Sequence, residues 1–449
     1  MSEDISTKIN FGSESFKKYL KNTSWLFTEK ILRLIVTFAV GILIIRYLAP
    51  EEFGLLSYAM SYVGIFASIS SLGIDSILTR ELIRDPNQRD NLLGTAFTLK
   101  IIGAVAATIL LIAILPLTTN DRFTNVMILI IASATFFQSF NVIDFYFQSK
   151  VMAKFSVFAQ SSSFLLSSII KVMLIIFKAP LVYFAIVILV EAILLAMGFV
   201  IVYKSQKLKL ADWKADKNLA LKILNDSWPL ILSGVVIAIY MKISQVLIKE
   251  MMNETEVGYY GAAVRLCEAW YFVPLAITAS LFPAIVNAKK ISENLYLSRL
   301  QKLYDLMAWI AILIALPVSI FSESITTILL GKQYIPSAPV LSIYIWAGVA
   351  TFLGVSSSQY LITENLTKLS FYRTLLGMIV NVILNILFIP KFGIIGSAYA
   401  TLISFSAATF SIGMTKKTFP QLVMMIKAVL FINLFKFAFQ IWQKNLPQK

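Results

Sequence analysis

The chain has 449 residues, of which 58% are hydrophobic and only 14% are charged, and its mean hydropathy is +0.79. Soluble domains carry about 25% charged residues, so this composition excludes an ordinary soluble protein. The sequence has no histidine and a single cysteine, Cys267. These counts exclude an imidazole proton relay and an internal disulfide, and they leave a zinc site without its usual ligands.

Apolar blocks of about 20 residues recur along the chain, the length that a helix needs to cross ~30 Å of hydrocarbon. The blocks are continuous rather than alternating, which predicts an all-α polytopic membrane protein and not a barrel. We predict twelve transmembrane helices, at 25–48, 55–78, 91–115, 123–147, 155–177, 181–203, 227–248, 257–287, 303–322, 338–362, 371–389 and 394–414. Residues 1–24 lack the apolar core of a signal peptide and are predicted to be a cytoplasmic segment.

The basic residues predict the orientation. With the N-terminus in the cytoplasm, most Lys and Arg residues lie in inner loops, in agreement with the positive-inside rule. The net charge of +15 is thereby explained by topology, and we expect no nucleic-acid partner. A basic linker at 204–226 separates two predicted six-helix bundles, at 25–203 and 227–414, with a central cavity between them.

The tail at 415–449 is predicted to be either a thirteenth span or an amphipathic helix on the inner surface. Its polar face would carry Asn433, Lys436, Gln440, Gln443 and Lys444, whereas Lys427 falls on the opposite face.

The two halves are similar to each other at an offset of 204 residues. Residues 46–63, RYLAPEEFGLLSYAMSYV, align with 250–267, EMMNETEVGYYGAAVRLC, so that Gly54 meets Gly258. Each stretch is an outer turn with acidic residues that leads into a span. This pattern predicts an internal duplication, and repeated halves in secondary transporters enclose the substrate site.

Ionisable residues within the predicted spans are the candidates for function, because lipid penalises a charge at its centre by roughly 2.5–3.5 kcal/mol on insertion scales. The basic set is Lys30, Arg33, Lys100, Lys171, Lys242 and Arg265, and the acidic set is Glu29, Asp75, Asp144, Glu191, Glu268 and Asp305. Arg33 and Arg265 lie deep, ~12 Å from the nearer end of their spans at 1.5 Å per residue. Pairing within the helix, with Glu29 for Arg33 and with Glu268 for Arg265, is the structural alternative.

Several stretches resemble the bacterial polysaccharide flippases, the O-antigen and capsule repeat-unit transporters of the multidrug/oligosaccharidyl-lipid/polysaccharide exporter superfamily. The most specific is NVILNILFIPKFGIIGSAYATLIS at 381–404, with two asparagines four residues apart, Ile-Pro, and Gly-x-x-Gly. Others are LAPEEFGLLSYA, GIDSILTREL, FKAPLVYFAIVILVEAI, LFPAIVNAKK and ILLGKQYIPSAPVLSI, in the family's order. In the 381–404 motif, the asparagines and small residues are explained by helix packing.

The resemblance implies a transporter that moves oligosaccharides linked through pyrophosphate to polyprenol across the cytoplasmic membrane of a bacterium. In relatives, the spans that correspond to those of Arg33 and Arg265 line a cationic cavity, which Lys30, Lys171 and Lys242 would extend. Glu191 and Glu268 are candidates for coupling to an H⁺ or Na⁺ gradient, with no other cofactor. Candidate sugar contacts are Tyr240, Gln245, Trp270, Tyr271 and Gln359. A polysaccharide polymerase and chain-length machinery are the implied partners.

Three other functions are alternatives to a flippase. A multidrug/cation antiporter of the same superfamily would favour acidic residues in its cavity. A membrane glycan ligase or polymerase generally needs a long outer loop, and no predicted loop exceeds about 25 residues, so we expect no enzyme. A scaffold without substrate would pair all of its buried charges.

Overall fold

The computed structural model describes residues 14–433, which form helices joined by short turns and contain no strand. The helices are α1 (Glu14–Tyr47), α2 (Pro50–Ser70), α3 (Asp75–Arg84), α4 (Arg89–Ile114), α5 (Arg122–Phe137), α6 (Val142–Ser149), α7 (Ala153–Ile176), α8 (Leu181–Ser205), α9 (Lys217–Met251), α10 (Glu254–Glu268), α11 (Phe272–Lys289), α12 (Glu293–Ile320), α13 (Ser322–Leu330), α14 (Ser337–Tyr344), α15 (Ala347–Thr363), α16 (Thr367–Phe410) and α17 (Phe419–Val429). The predicted all-α membrane architecture is confirmed.

Ten helical stretches within residues 14–433 are long and apolar enough to cross a membrane, so the chain is a multi-pass membrane protein. The predicted number of twelve is not confirmed. The first predicted span lies in α1, which is not among the ten because its apolar part also carries Lys30, Arg33 and Arg46. The last two predicted spans lie together in one stretch, Thr367–Met414.

The chain folds into two compact units. Unit 1 comprises the chain up to Ile44 together with Val63–Val235, and unit 2 comprises Ile45–Tyr62 and the chain from Val236 onward. The core of unit 1 includes three fully buried residues: Ile74 just before α3, Leu93 on α4 and Phe147 on α6. The core of unit 2 includes the fully buried residues Leu300, Tyr304, Leu353 and Met425, on α12, α15 and α17.

The basic linker is packed against unit 1 rather than free. A Cβ on Gly94 of α4 would lie 2.6 Å from the backbone nitrogen of Lys214, so the linker backbone crosses α4 where there is no side chain. The Asp216 amide donates to the hydroxyl of Thr95 at 2.9 Å, and the Trp213 indole donates to the hydroxyl of Tyr203 at 3.1 Å. Only residues 206–216 lie between α8 and α9.

In unit 2, α2 and α10 cross with their backbones in contact. A Cβ on Gly54 would lie 1.8 Å from the carbonyl oxygen of Glu254, and a Cβ on Gly258 would lie 1.9 Å from that of Pro50. Both pairs are related by the predicted offset of 204 residues, because 50 corresponds to 254 and 54 to 258. The contact is therefore symmetric, which supports the predicted internal duplication.

The motif at 381–404 forms a helical hairpin. The helical geometry of α16 breaks at Gly393, whose φ of +59° is in the left-handed region that favours glycine. Beyond this turn, Ser397 donates to the Asn385 side chain at 2.6 Å, and Asn381 donates to the hydroxyl of Ser404 at 2.9 Å. The two arms run antiparallel, and the predicted structural role of the asparagines is confirmed.

The described part of the tail packs against unit 2. Helix α17 has 11 residues, too few to span a bilayer alone. Gln421 is buried and accepts a hydrogen bond from Tyr304 at 2.8 Å, and Asn433 donates to Asp305 at 2.8 Å. The other members of the predicted polar face, Lys436, Gln440, Gln443 and Lys444, lie outside the described residues.

Candidate functional site

In unit 1, the deep arginine of α1 has a carboxylate partner. Arg33 Nε lies 2.5 Å from Glu29 Oε1, one helical turn away, and its guanidinium lies 4.7 Å from the centre of the Phe164 ring. Glu29 is buried, with 6% of its side chain exposed, whereas 38% of the Arg33 side chain is exposed. The guanidinium thus neutralises a buried acid and still presents part of its surface.

Other unit 1 candidates also form ion pairs. Lys171 Nζ on α7 lies 2.7 Å from Glu191 Oε2 on α8, and the hydroxyl of Ser167 donates to the same oxygen at 2.8 Å. Lys100 pairs in the same way with Asp75, at 2.6 Å between α4 and α3. Asp144 accepts hydrogen bonds from Gln148 and Gln160, and Lys30 is exposed.

Unit 2 differs, because its candidate charges form no close pair. Within the described residues, neither Lys242 of α9 nor Arg265 of α10 has a carboxylate oxygen within 4 Å, although both lie close enough to Glu268 to interact electrostatically. Among the described residues, the buried Oε1 atom of Glu268 has no hydrogen-bond partner. Lys242 and Arg265 thus share the single carboxylate of Glu268, so these three residues together carry a net positive charge.

The span that carries Arg265 and Glu268 is interrupted directly after Glu268. The sequence predicted one continuous span at 257–287, but α10 ends at Glu268 and α11 begins at Phe272, with a turn between them. Non-helical backbone at membrane depth is tolerated where it is buried in protein or lines a cavity. Broken helices at such positions are characteristic of transporter binding sites.

The candidate sugar-binding residues all belong to unit 2 but differ in exposure. Tyr240 and Tyr271 line a cavity of about 220 Å³, and Tyr240 packs against Phe405 with ring centroids 4.7 Å apart. Trp270 is 41% exposed in the turn after α10. Gln245 is buried and accepts a hydrogen bond from Ser61 at 2.8 Å. The structure leaves Gln359 half-buried on α15.

One residue of this cavity was missed by sequence reasoning. Arg373 is not among the predicted candidates, but its side chain is only 6% exposed and lines the same cavity as Tyr240 and Tyr271. The signal was present, since Arg373 falls within the predicted span at 371–389. Arg373 lies near the end of that span, where a charged side chain is expected to reach water. Its burial depends on the neighbouring helices, which the depth along one helix does not show.

The polysaccharide biosynthesis protein family matches this chain over residues 19–289, more than half of its length. The chain belongs to this family. The match includes both candidate arginines, Arg33 and Arg265, and the glycine contact between α2 and α10. The family resemblance stated from the motifs is therefore confirmed.

Two curated relatives are similar over part of this family member. A probable low-salt glycan biosynthesis flippase of Haloferax volcanii is 24% identical over 162 residues, which cover 35% of this chain and 34% of the relative. An uncharacterized membrane protein of Methanocaldococcus jannaschii is 26% identical over 243 residues, covering 48% and 53%. The chain thus spans about a third and about half the length of these relatives.

Solved structures show the same fold at low identity. The lipid II flippase MurJ, in an inward closed conformation, superposes with a TM-score of 0.71 and 15% identity, covering 96% of this chain and 94% of that one. An inward-facing multidrug resistance transporter of the MATE family in the MOP superfamily gives 0.67 and 16%, covering 90% and 95%. The fold of this family member is therefore the one that lipid flippases and drug transporters share.

Metal ligands are not assembled in the described part of this family member. Between residues 14 and 433, no three His, Cys, Asp or Glu side chains come together in an arrangement that could hold an ion. Cys267 is buried.

Proposed function

We propose that the chain is a flippase that moves polyprenyl-pyrophosphate-linked oligosaccharide repeat units from the inner to the outer leaflet of a bacterial cytoplasmic membrane. The product would serve O-antigen or another surface polysaccharide, with a polymerase and chain-length machinery acting on it afterwards. The observation that carries this proposal is the family match over residues 19–289. The glycan biosynthesis flippase among the relatives supports the class of substrate.

The charges of unit 2 suit this substrate. A pyrophosphate group that leaves water needs donors to replace its hydration, and a planar guanidinium binds phosphate oxygens in a bidentate way without losing its charge. Arg265 and Lys242 have no close carboxylate among the described residues, so neither is already neutralised. A scaffold without substrate would be expected to pair such charges, as unit 1 does.

Transport would proceed by alternating access, with one half of the molecule rocking against the other. The lipid tail would stay in the bilayer while the charged head group crosses. In the orientation that the positive-inside rule predicts, the N-terminus would be cytoplasmic.

A gradient of H⁺ or Na⁺ remains the proposed source of energy. Of the two candidate coupling residues, Glu268 is supported better than Glu191. Glu191 already accepts from both Lys171 and Ser167, whereas the Oε1 atom of Glu268 is buried without a partner. A buried carboxylate of this kind gains most from binding a cation or proton.

The proposal is tested in cells that depend on this chain for surface glycan. We expect Arg265→Gln to accumulate lipid-linked repeat units inside and to deplete surface polysaccharide, while Arg265→Lys retains part of the transport. Arg122→Gln removes the same charge at an exposed position and should behave as wild type. Normal surface glycan in Arg265→Gln at normal membrane levels would contradict the role of Arg265. Normal glycan together with drug sensitivity on deletion of the gene would indicate an antiporter instead.

A further inference from the structure

The guanidinium of Arg373 is buried in unit 2, and no carboxylate of residues 14–433 forms an ion pair with it. Its Nε donates to the Ala408 carbonyl at 2.9 Å, and its Nη1 donates to the hydroxyl of Ser357 at 3.1 Å. Both acceptors are neutral, and within the described residues Nη2 has no partner. Tyr240 and Tyr304 are titratable side chains that interact with it electrostatically. A guanidinium has five donor hydrogens, so most of its hydrogen-bonding capacity is unused.

One of the two bonds has a structural explanation. Ala408 lies in the last turn of α16, where carbonyl groups lack helical partners and the helix dipole favours a cation. This role accounts for the Nε donor. It does not account for Nη2, since a neutral donor would cap the helix without burying a charge.

Arg373 lines the cavity of about 220 Å³. At roughly 30 Å³ per water molecule, the space would hold about seven waters. Hydroxyl groups of Tyr240, Ser358, Ser370 and Thr374 belong to residues that line it, and Arg373 is the only charged residue of the lining within the described part of the chain. The cavity therefore combines one cation with several groups that can turn a proton toward a ligand.

We infer that this cavity binds a phosphate-type anion, either free phosphate or the phosphate of a lipid head group. Two oxygens of such an anion would accept from the free edge of the Arg373 guanidinium, and the hydroxyls of Ser370 and Thr374 would complete the shell. The inference goes beyond the proposed function, because it requires binding alone and involves neither Arg33 nor Arg265.

The test measures binding by the purified full chain. Inorganic phosphate and pyrophosphate are titrated against protein in neutral detergent, with chloride at matched ionic strength, and thermal stability is recorded. A second arm compares nanodiscs of phosphatidylcholine with nanodiscs that also contain phosphatidic acid. We expect a phosphate-dependent rise in stability in at least one arm, and at least a tenfold weaker response in Arg373→Met, since charged hydrogen bonds are lost.

Two further variants make the result specific. Lys368→Met removes the same charge from an exposed position of the same helix and should respond as wild type. Thr374→Leu leaves Arg373 intact but narrows the cavity and removes one of the proposed ligand hydroxyls, which otherwise bonds only to its own helix at Ser370. This variant should also lose the response, which covers the case in which Arg373→Met fails to fold.

The two arms separate the sources of phosphate. A response to the soluble anions assigns the site to free or solvent-borne phosphate, and a response to phosphatidic acid alone assigns it to a lipid head group. No response in either arm, or an equal response in wild type and Thr374→Leu, would overturn the inference. Because the assay measures binding and not transport, its result can be interpreted even if the chain proves not to be a flippase.

Discussion

The pair of Arg33 and Glu29 allows the two explanations of the deep arginine to be separated by charge removal. We consider three variants: Arg33→Gln, Glu29→Gln, and the double variant. If Arg33 serves only to neutralise Glu29, removing both charges restores a working protein. If Arg33 binds the pyrophosphate of the substrate, the double variant folds but does not transport.

The structure sets the expected size of the stability effects. Breaking a buried ion pair by removing one partner costs about 3–5 kcal/mol, whereas an exposed pair one turn apart contributes only about 0.3–0.5 kcal/mol. Glu29 is buried but Arg33 is 38% exposed, so solvent screens part of the interaction. We therefore expect Arg33→Gln to cost on the order of 1–3 kcal/mol, and the double variant to recover most of that loss.

Stability and transport are then measured on the same samples. The stability readout is the fraction that stays monodisperse in detergent after heating. The transport readout is the amount of surface glycan at equal membrane levels. We expect Glu29→Gln to keep transport, because the guanidinium remains. Arg33→Gln and the double variant should both lose it, although only the first is unstable.

One combination of results would refute the role of Arg33 in binding pyrophosphate. A double variant that matches wild type in both stability and surface glycan would show that Arg33 serves only to neutralise Glu29. The phosphate contact would then have to be assigned to unit 2 alone.

The remaining predictions concern packing and coupling. Gly258→Ala should lower thermal stability, because its Cβ would lie 1.9 Å from a carbonyl oxygen, whereas Gly348→Ala meets nothing within 4 Å and should not; equal melting of both would contradict the close crossing. Asn385→Leu should cost about 1–3 kcal/mol by leaving its buried partners unsatisfied, measured as a lower melting temperature. Glu191→Gln should destabilise the protein through Lys171 but leave the gradient dependence of transport unchanged; loss of that dependence would make Glu191 the coupling residue.

Local features of unit 2 were predictable from sequence because they depend on near neighbours in the chain. Asn381 and Asn385 lie on one helical face by their spacing, and Gly393 follows Pro390 where a turn is expected. The structure confirms the turn and the hydrogen bonds. The close packing expected at Gly396 is also present, since its Cβ would lie 2.4 Å from the Phe388 carbonyl oxygen.

Partners on different helices were not predictable. The spacing of Lys171 and Glu191 gives no sign that α7 and α8 bring them to 2.7 Å, and only tertiary packing decides this. The interruption of the helix after Glu268 was missed as well, because neither Gly nor Pro marks residues 269–271. Arg265 was correctly placed on the same helix as Glu268, but the sequence left open whether the two would pair.

The most direct test of the proposed function is the leaflet distribution of the substrate. Purified protein is reconstituted into vesicles that carry a polyprenyl-pyrophosphate-linked oligosaccharide, and a lectin or glycosidase added outside reports how much glycan becomes accessible. We predict that wild type and Arg122→Gln equilibrate the lipid between leaflets, whereas Arg265→Gln leaves it at the protein-free level. Equal accessibility in vesicles with and without wild-type protein, under an imposed H⁺ or Na⁺ gradient, would contradict the account.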